Sequence, residues 1–307
     1  MSAGAGAMAW PADGRCGRLL VRLRLAKGLL CLAIAFSAVF GFLLASPVPS
    51  WQLAKVFAGV ALLAGGAATL NSLQEWRRDA LMRRTGHRPL PRGELTARQA
   101  LRQALTLIAA GLLLLGLLPG PLPLVAGLLA LVLYNGVYTP LKARTLLAIL
   151  PGALCGGLPP VIGWLAGGGR PDSPVALLLM LLLVLWQVPH SLLVLLIHRE
   201  DYRVVRLPSL LEHLSEPGLR RLLVPWVAAL AAALALFALP PLTSSGLVRT
   251  FLLLPTAFLP LLFFGQTVSV VFRNYKVLFI SLNLVFFYNM LVICGARMSL
   301  AAAGAGY

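Results

Sequence analysis

Nine stretches of this 307-residue chain are apolar at close to the length needed to cross a bilayer, and no other feature constrains the fold as strongly. They fall near residues 27–45, 53–70, 100–118, 122–137, 146–166, 174–197, 219–239, 247–272 and 275–295. A spanning helix takes about 20 predominantly apolar residues. Hydrophobic residues make up 59% of the chain and charged residues only 11%, with a mean hydropathy of +0.88. That much apolar surface cannot be hidden from water, so soluble enzyme folds are excluded, and disorder with them. The expected fold is an all-α integral membrane protein, a bundle of nine transmembrane helices. Residues 1–26 read as a basic cytoplasmic segment, 27–295 as the nine-helix domain and 296–307 as a short tail.

Stretches three and four are parted only by residues 119–123, which predicts a tight turn. The fifth carries Pro151, Gly152, Gly156, Gly157, Pro159 and Pro160, which predicts a kinked or broken helix. Such a break is tolerated where protein or a cavity covers the freed backbone groups. Its small residues also let a neighbouring helix come close.

Basic residues orient the bundle. With the N-terminus in the cytoplasm and nine alternating spans, 22 of the 26 Lys and Arg fall on one side; Lys55, Arg170, Arg249 and Arg297 fall opposite. Arginine and lysine are retained on the cytoplasmic side. The bias therefore predicts a cytoplasmic N-terminus and an external C-terminus; the expected location is a bacterial cytoplasmic membrane. It also explains the +17 net charge without nucleic acid. The first span lacks a convincing cleavage site and reads as a helix rather than a signal peptide. Cys16, Cys31, Cys155 and Cys294 make no metal or disulfide spacing and read as packing residues. Of the nine acids, all but Asp172 lie on the cytoplasmic side. Acids set among arginines at helix ends point to a site that handles a metal-bound anion.

The first acidic cluster is Asn71, Glu75 and Asp79, spaced i, i+4, i+8 on one helix face. Three oxygen donors on a stripe suit Mg²⁺, which takes one or two carboxylates, keeps waters and accepts phosphate oxygens. Arg84 and Arg88 follow and could fork onto diphosphate oxygens. A solvated helix end with ordinary charge pairs gives the same spacing.

With Met82, Thr85, Pro89 and Leu90 added, this segment resembles the first acidic motif of the heme O synthases (protoheme IX farnesyltransferases) of the intramembrane UbiA-type superfamily. Tyr138-Thr-Pro-Leu-Lys142-Ala-Arg-Thr145 resembles that family's Y-T-P-L-K-R-x-T, and 157–164 (GLPPVIGW) its G-A-L-P-P-x-I-G-W. Pro189-His190-Ser191 followed by Asp201-Tyr202 resembles its P-H-[F/S] with D-Y eleven residues beyond the histidine. The likeness runs from about residue 27 to 295. It departs after Asp201, where Arg203-Val-Val-Arg206 replaces the small-residue segment and no second carboxylate stands four residues on. His198 takes the place of the family's Lys or Arg.

The resemblance implies Mg²⁺-dependent farnesyl transfer from farnesyl diphosphate to the vinyl group of heme b, giving heme O. Carried onto this chain, the metal ligands are Asn71, Glu75, Asp79 and Asp201, with Asp201 facing the stripe. Diphosphate falls to Arg84, Arg88, Lys142 and Arg199, and Tyr138 lies near the allylic carbon. His190 either contacts the porphyrin or hydrogen-bonds across helices. Membrane lipid and heme-handling proteins are the other expected partners. Two alternatives remain open: the same donor site with an aromatic acid or lipid as acceptor, and a non-catalytic ligand-binding or assembly protein.

Overall fold

The computed structural model describes residues 15–205, 208–240, 242–243, 245–268 and 274–304. The predicted N-terminal segment up to residue 14, residues 305–307 of the predicted tail, and Arg206 and Arg273 of the basic loops lie outside them. The order is α1 (Arg15–Leu25), α2 (Gly28–Ala45), α3 (Trp51–Asp79), α4 (Ala97–Gly116), α5 (Leu122–Leu131), α6 (Ile149–Ala166), α7 (Pro174–Ile197), the short α8 (Arg199–Val204), α9 (Glu216–Leu236), α10 (Gly246–Val268) and α11 (Tyr275–Gly304). Among the described residues nine helical segments have the length and apolarity to span a membrane, as expected.

Three bounds differ from the sequence reading, each for a physical reason. The apolar part of α3 ends near residue 70, but the helix continues to Asp79. At 1.5 Å per residue its 29 residues run roughly 43 Å, well past a 30 Å hydrocarbon layer. Its last turns carry Asn71, Glu75 and Asp79 beyond the hydrocarbon. Polarity alone does not stop a helix whose polar groups find partners. The fourth span continues past α5 through a π-helical segment, Val132–Tyr138, to Leu141. π turns insert one residue per turn and concentrate at functional sites. This one is clamped to α3: Asn135 Nδ2 donates to the Ala67 carbonyl at 3.0 Å, and Gln74 Nε2 donates to the Asn135 carbonyl at 3.0 Å. The predicted tail from residue 296 is instead the last two turns of α11, and Arg297 there donates to the Leu44 carbonyl at 3.0 Å.

The fifth span corrects the expectation of a break. A 3₁₀ turn (Leu146–Ala148) leads into α6, which runs continuously to Ala166 through Pro159 and Pro160. Gly163 of this helix and Gly41 of α2 serve the close approach of the two helices. A Cβ on Gly41 would stand 1.8 Å from the Pro160 carbonyl oxygen, and one on Gly163 would stand 1.8 Å from the Ala38 carbonyl oxygen. The two backbones therefore touch, which only glycine permits.

Large buried side chains, among them Phe40, Phe237, Phe263 and Phe286, fill the inter-helix space. Exposed leucines and phenylalanines on α10, such as Leu254, Phe258 and Leu261, face outward, where lipid would lie. Cross-links collect the charged loops at one end. Arg24 pairs with Glu94, Arg199 with Glu216, and the Tyr275 hydroxyl donates to Glu216. That end holds the cavity described next.

Candidate active site

A cavity of about 300 Å³ opens among α2, α3, the π segment and α7. Its floor is the stripe predicted from spacing. Asn71, Glu75 and Asp79 are all buried and all line it. Asn71 Nδ2 donates to Glu75 Oε2 at 3.1 Å and to Thr139 Oγ1 at 3.1 Å. Lys142 Nζ stands 3.4 Å from Glu75 Oε1, and Arg88 Nη1 is 2.6 Å from Asp79 Oδ2. Arg84 also lines the cavity, with its buried Nε unpartnered. The loop between them is pinned at its start, where Thr85 Oγ1 donates to the Asp79 carbonyl at 2.9 Å.

Lys27, which with Gly28 stands where the resembled family has Lys-Pro, was assigned no role from sequence. It is the residue in front of α2, in a left-handed conformation at φ 54°, and its Nζ donates to Asn71 Oδ1 at 3.2 Å. Burial, with Arg88 beside it, lowers its ammonium to about 8. Non-glycine residues in this region are strained, and such strain gathers at functional sites. Lys142 behaves differently. Burial would lower it too, but the neighbouring Tyr138 and Glu75 outweigh that and raise it.

With Arg78, five basic side chains line the cavity against two carboxylates. The wall toward the hydrocarbon is made of Tyr134 and Tyr138, stacked at 5.7 Å, and of Gln187, His190 and Ser191. The π turn brings the two tyrosines to the cavity. His190 rests between Trp186, at 4.4 Å, and Phe279, at 4.9 Å.

Two expected site residues lie elsewhere. Asp201 is not among the cavity-lining residues. Its carboxylate accepts the backbone N–H groups of Arg83 at 3.0 Å and Arg84 at 3.1 Å. A carboxylate satisfied by two backbone amides is held firmly where it is. Arg199 is drawn outward, with Nη1 2.6 Å from Glu216 Oε2 and Nε 3.5 Å from Glu200 Oε1, so it does not line the cavity. Among the described residues no three of His, Cys, Asp and Glu converge into a metal centre of their own. Three of the four expected donors, Asn71, Glu75 and Asp79, line the cavity. Those three still suit Mg²⁺. They are all oxygen donors, two are carboxylates, and the surrounding cations leave room for an anion to complete the shell.

A bundle of membrane-length helices that closes a cationic, carboxylate-floored cavity at one end has the features an intramembrane prenyltransferase needs. The profile of the UbiA prenyltransferase family matches residues 34–293, and the chain belongs to that family. A protoheme IX farnesyltransferase of Nitratidesulfovibrio vulgaris is 39% identical over 235 residues, covering 75% of this chain and 79% of the relative. One from Geobacter sulfurreducens is 42% identical over 212 residues, covering 67% and 76%. The fold is similar to that of a digeranylgeranylglyceryl phosphate synthase, with a TM-score of 0.68 at 14% identity over 92% of this chain and 99% of that one. It is similar also to a UbiA homologue from Archaeoglobus fulgidus solved with GPP and Mg²⁺, with a TM-score of 0.62 at 19% identity over 89% and 99%.

Proposed function

We propose that this prenyltransferase moves a farnesyl group from farnesyl diphosphate to the vinyl group of heme b, giving heme O, with Mg²⁺ as cofactor. The observation that carries the donor half is the cavity's charge. Five cations around two carboxylates at the end of an apolar bundle have too little negative charge to balance them, and a diphosphate supplies it. The acceptor is supported by the names of the relatives in Nitratidesulfovibrio and Geobacter. The clustering of charged loops at one end supports a cytoplasmic site and N-terminus, with the C-terminus outside.

The chain's own residues divide the work. Asn71, Glu75 and Asp79 would hold Mg²⁺, which supplies charge neutralisation to the departing diphosphate. Arg84, Arg88, Lys142 and Lys27 grip the diphosphate oxygens, and their attraction strengthens as the C–O bond breaks and negative charge gathers there. Arg88 and Lys142 are held in place beforehand by Asp79 and Glu75, so little reorganisation is needed. The stacked Tyr134 and Tyr138 present π faces to the allylic cation. Leu30 of α2 and Val194 of α7 help exclude bulk water, which would otherwise capture that cation. Asp201 positions Arg84 through the loop backbone.

Incubating the purified protein in detergent with Mg²⁺, farnesyl diphosphate and heme b, then weighing the heme by mass spectrometry, tests the reading. A gain of farnesyl plus water is expected. The altered segment after Asp201 favours one other reading, the same donor with a different acceptor. Diphosphate release that depends on an aromatic acid or lipid, with heme unchanged, would establish it.

A further inference from the structure

The cations account for the head of the cavity, and a polar patch deeper in its wall is left over. Gln187, His190 and Ser191 lie on one face of α7, in a segment made mostly of Leu and Val, and all three line the cavity. Gln187 is ten residues from the Ile197 end, about 15 Å along the helix. Polar groups at that depth are costly and are normally satisfied. Here Gln187 Nε2 donates to Ser191 Oγ at 3.0 Å. Among the described residues, the Gln187 amide oxygen and the Ser191 hydroxyl hydrogen have no further protein partner. His190 Nδ1 has none either. Pro189 lacks an N–H, so the Leu185 carbonyl loses its helical donor at the same level. Trp186 and Phe279 hold the imidazole from two sides. A fixed patch with spare hydrogen-bonding capacity in a hydrocarbon wall suits a small polar occupant.

The proposed reaction needs such an occupant. As the terminal vinyl carbon bonds to C1 of the farnesyl chain, the C1–O bond breaks and diphosphate leaves with the electron pair. Positive charge passes to the vinyl carbon attached to the macrocycle. That carbocation either loses a proton to give an alkene or takes an oxygen nucleophile. Bulk water would meet the allylic cation first and release farnesol. The useful water is therefore single, held, and placed away from the diphosphate head.

We infer that, granted the farnesyl-to-heme reading, Gln187, His190 and Ser191 hold this water. Its oxygen bonds to the vinyl carbon, one hydrogen stays in the new hydroxyl, and the other passes as a proton to the His190 imidazole. No oxidant or reductant is consumed.

The ratio of hydrated heme product to the alkene lighter by one water is the readout. It is counted per turnover, so it does not depend on how far a substitution slows the enzyme. In His190→Phe, and separately in Gln187→Leu/Ser191→Ala, the ratio falls at least about tenfold, a modest share of the about hundredfold or more that a positioned acid–base group contributes. In ¹⁸O-water the wild-type product carries one label. An unchanged ratio in whichever of the two variants turns over overturns the inference. A wild-type protein that never farnesylates heme overturns the reaction reading instead, so the two failures are distinct.

Discussion

Lys142 Nζ lies 3.4 Å from Oε1 of Glu75, joining the end of the fourth span to the charged end of α3 across 67 residues of sequence. The pair is mostly buried, with the Glu75 side chain 9% exposed and that of Lys142 26%. It keeps a carboxylate ionised where a metal can use it, and it parks an ammonium where a phosphate oxygen can take it over. Removing one partner therefore has two effects. Lys142→Ala leaves Glu75 buried without its cation and lowers stability by about 1–3 kcal/mol, the cost of an unsatisfied buried polar group. It also weakens farnesyl diphosphate binding by about tenfold, or 1.4 kcal/mol. Thermal unfolding in detergent and a binding titration read the two effects separately.

Asp79→Asn preserves the shape of the floor and removes its charge. Turnover falls at least a hundredfold, in the range seen when one electrostatic group is removed from a transition state. The fold survives, because Thr85 still bonds to the Asp79 backbone carbonyl and the Asn carbonyl can accept from Arg88. Diphosphate release and circular dichroism check the two halves. Near-normal turnover would remove the role given to Asp79.

Asp201 separates two roles. If it works only through the amides of Arg83 and Arg84, Asp201→Ala loosens the loop. Hydrogen exchange of those amides then rises, and the KM for farnesyl diphosphate rises about tenfold. The Mg²⁺ concentration giving half-maximal activity stays put. A shift of that concentration in Asp201→Asn would instead make Asp201 a metal ligand.

Much of the site was legible because helix spacing is rigid. Asn71, Glu75 and Asp79 had to share a face, and they do. The motif around Tyr138 and Lys142 was found at the cavity as well. What escaped were relations that spacing does not carry. Lys27 reaches Asn71 only because the chain turns through a left-handed residue before α2. Tyr134 reaches the wall through a π turn that no hydrophobic period announces. For Asp201 and Arg199 the resemblance gives residue types and not partners: two backbone amides bond to one, and Glu216 pairs with the other. The nine spans were clear from apolarity, but the polar extension of α3 and the continuity of α6 were set by tertiary partners.

Lys27→Gly sets strain against function. Glycine adopts φ 54° freely, so relief of the left-handed strain leaves the protein as stable or more stable by up to about 1 kcal/mol. Loss of the ammonium weakens diphosphate binding several-fold. A melting temperature that holds or rises while affinity falls is the expected pair of results, and unchanged affinity would remove Lys27 from the site.

Gly163→Ala tests the bundle rather than the site. The new methyl would meet the Ala38 carbonyl oxygen at 1.8 Å, so α2 and α6 must separate. A loss of about 1–3 kcal/mol is expected, as for other overpacked interiors. A melting curve in detergent checks it.

In the proposed function one cavity binds a prenyl diphosphate through a divalent ion held by the polar end of α3. Equilibrium binding of radiolabelled farnesyl diphosphate, with Mg²⁺ and with EDTA, to the wild type and to Glu75→Gln/Asp79→Asn tests it most directly. Mg²⁺ should tighten wild-type binding at least tenfold, and the double variant should lose that gain. Equal wild-type affinity in Mg²⁺ and EDTA, or an undiminished gain in the variant, would contradict the account.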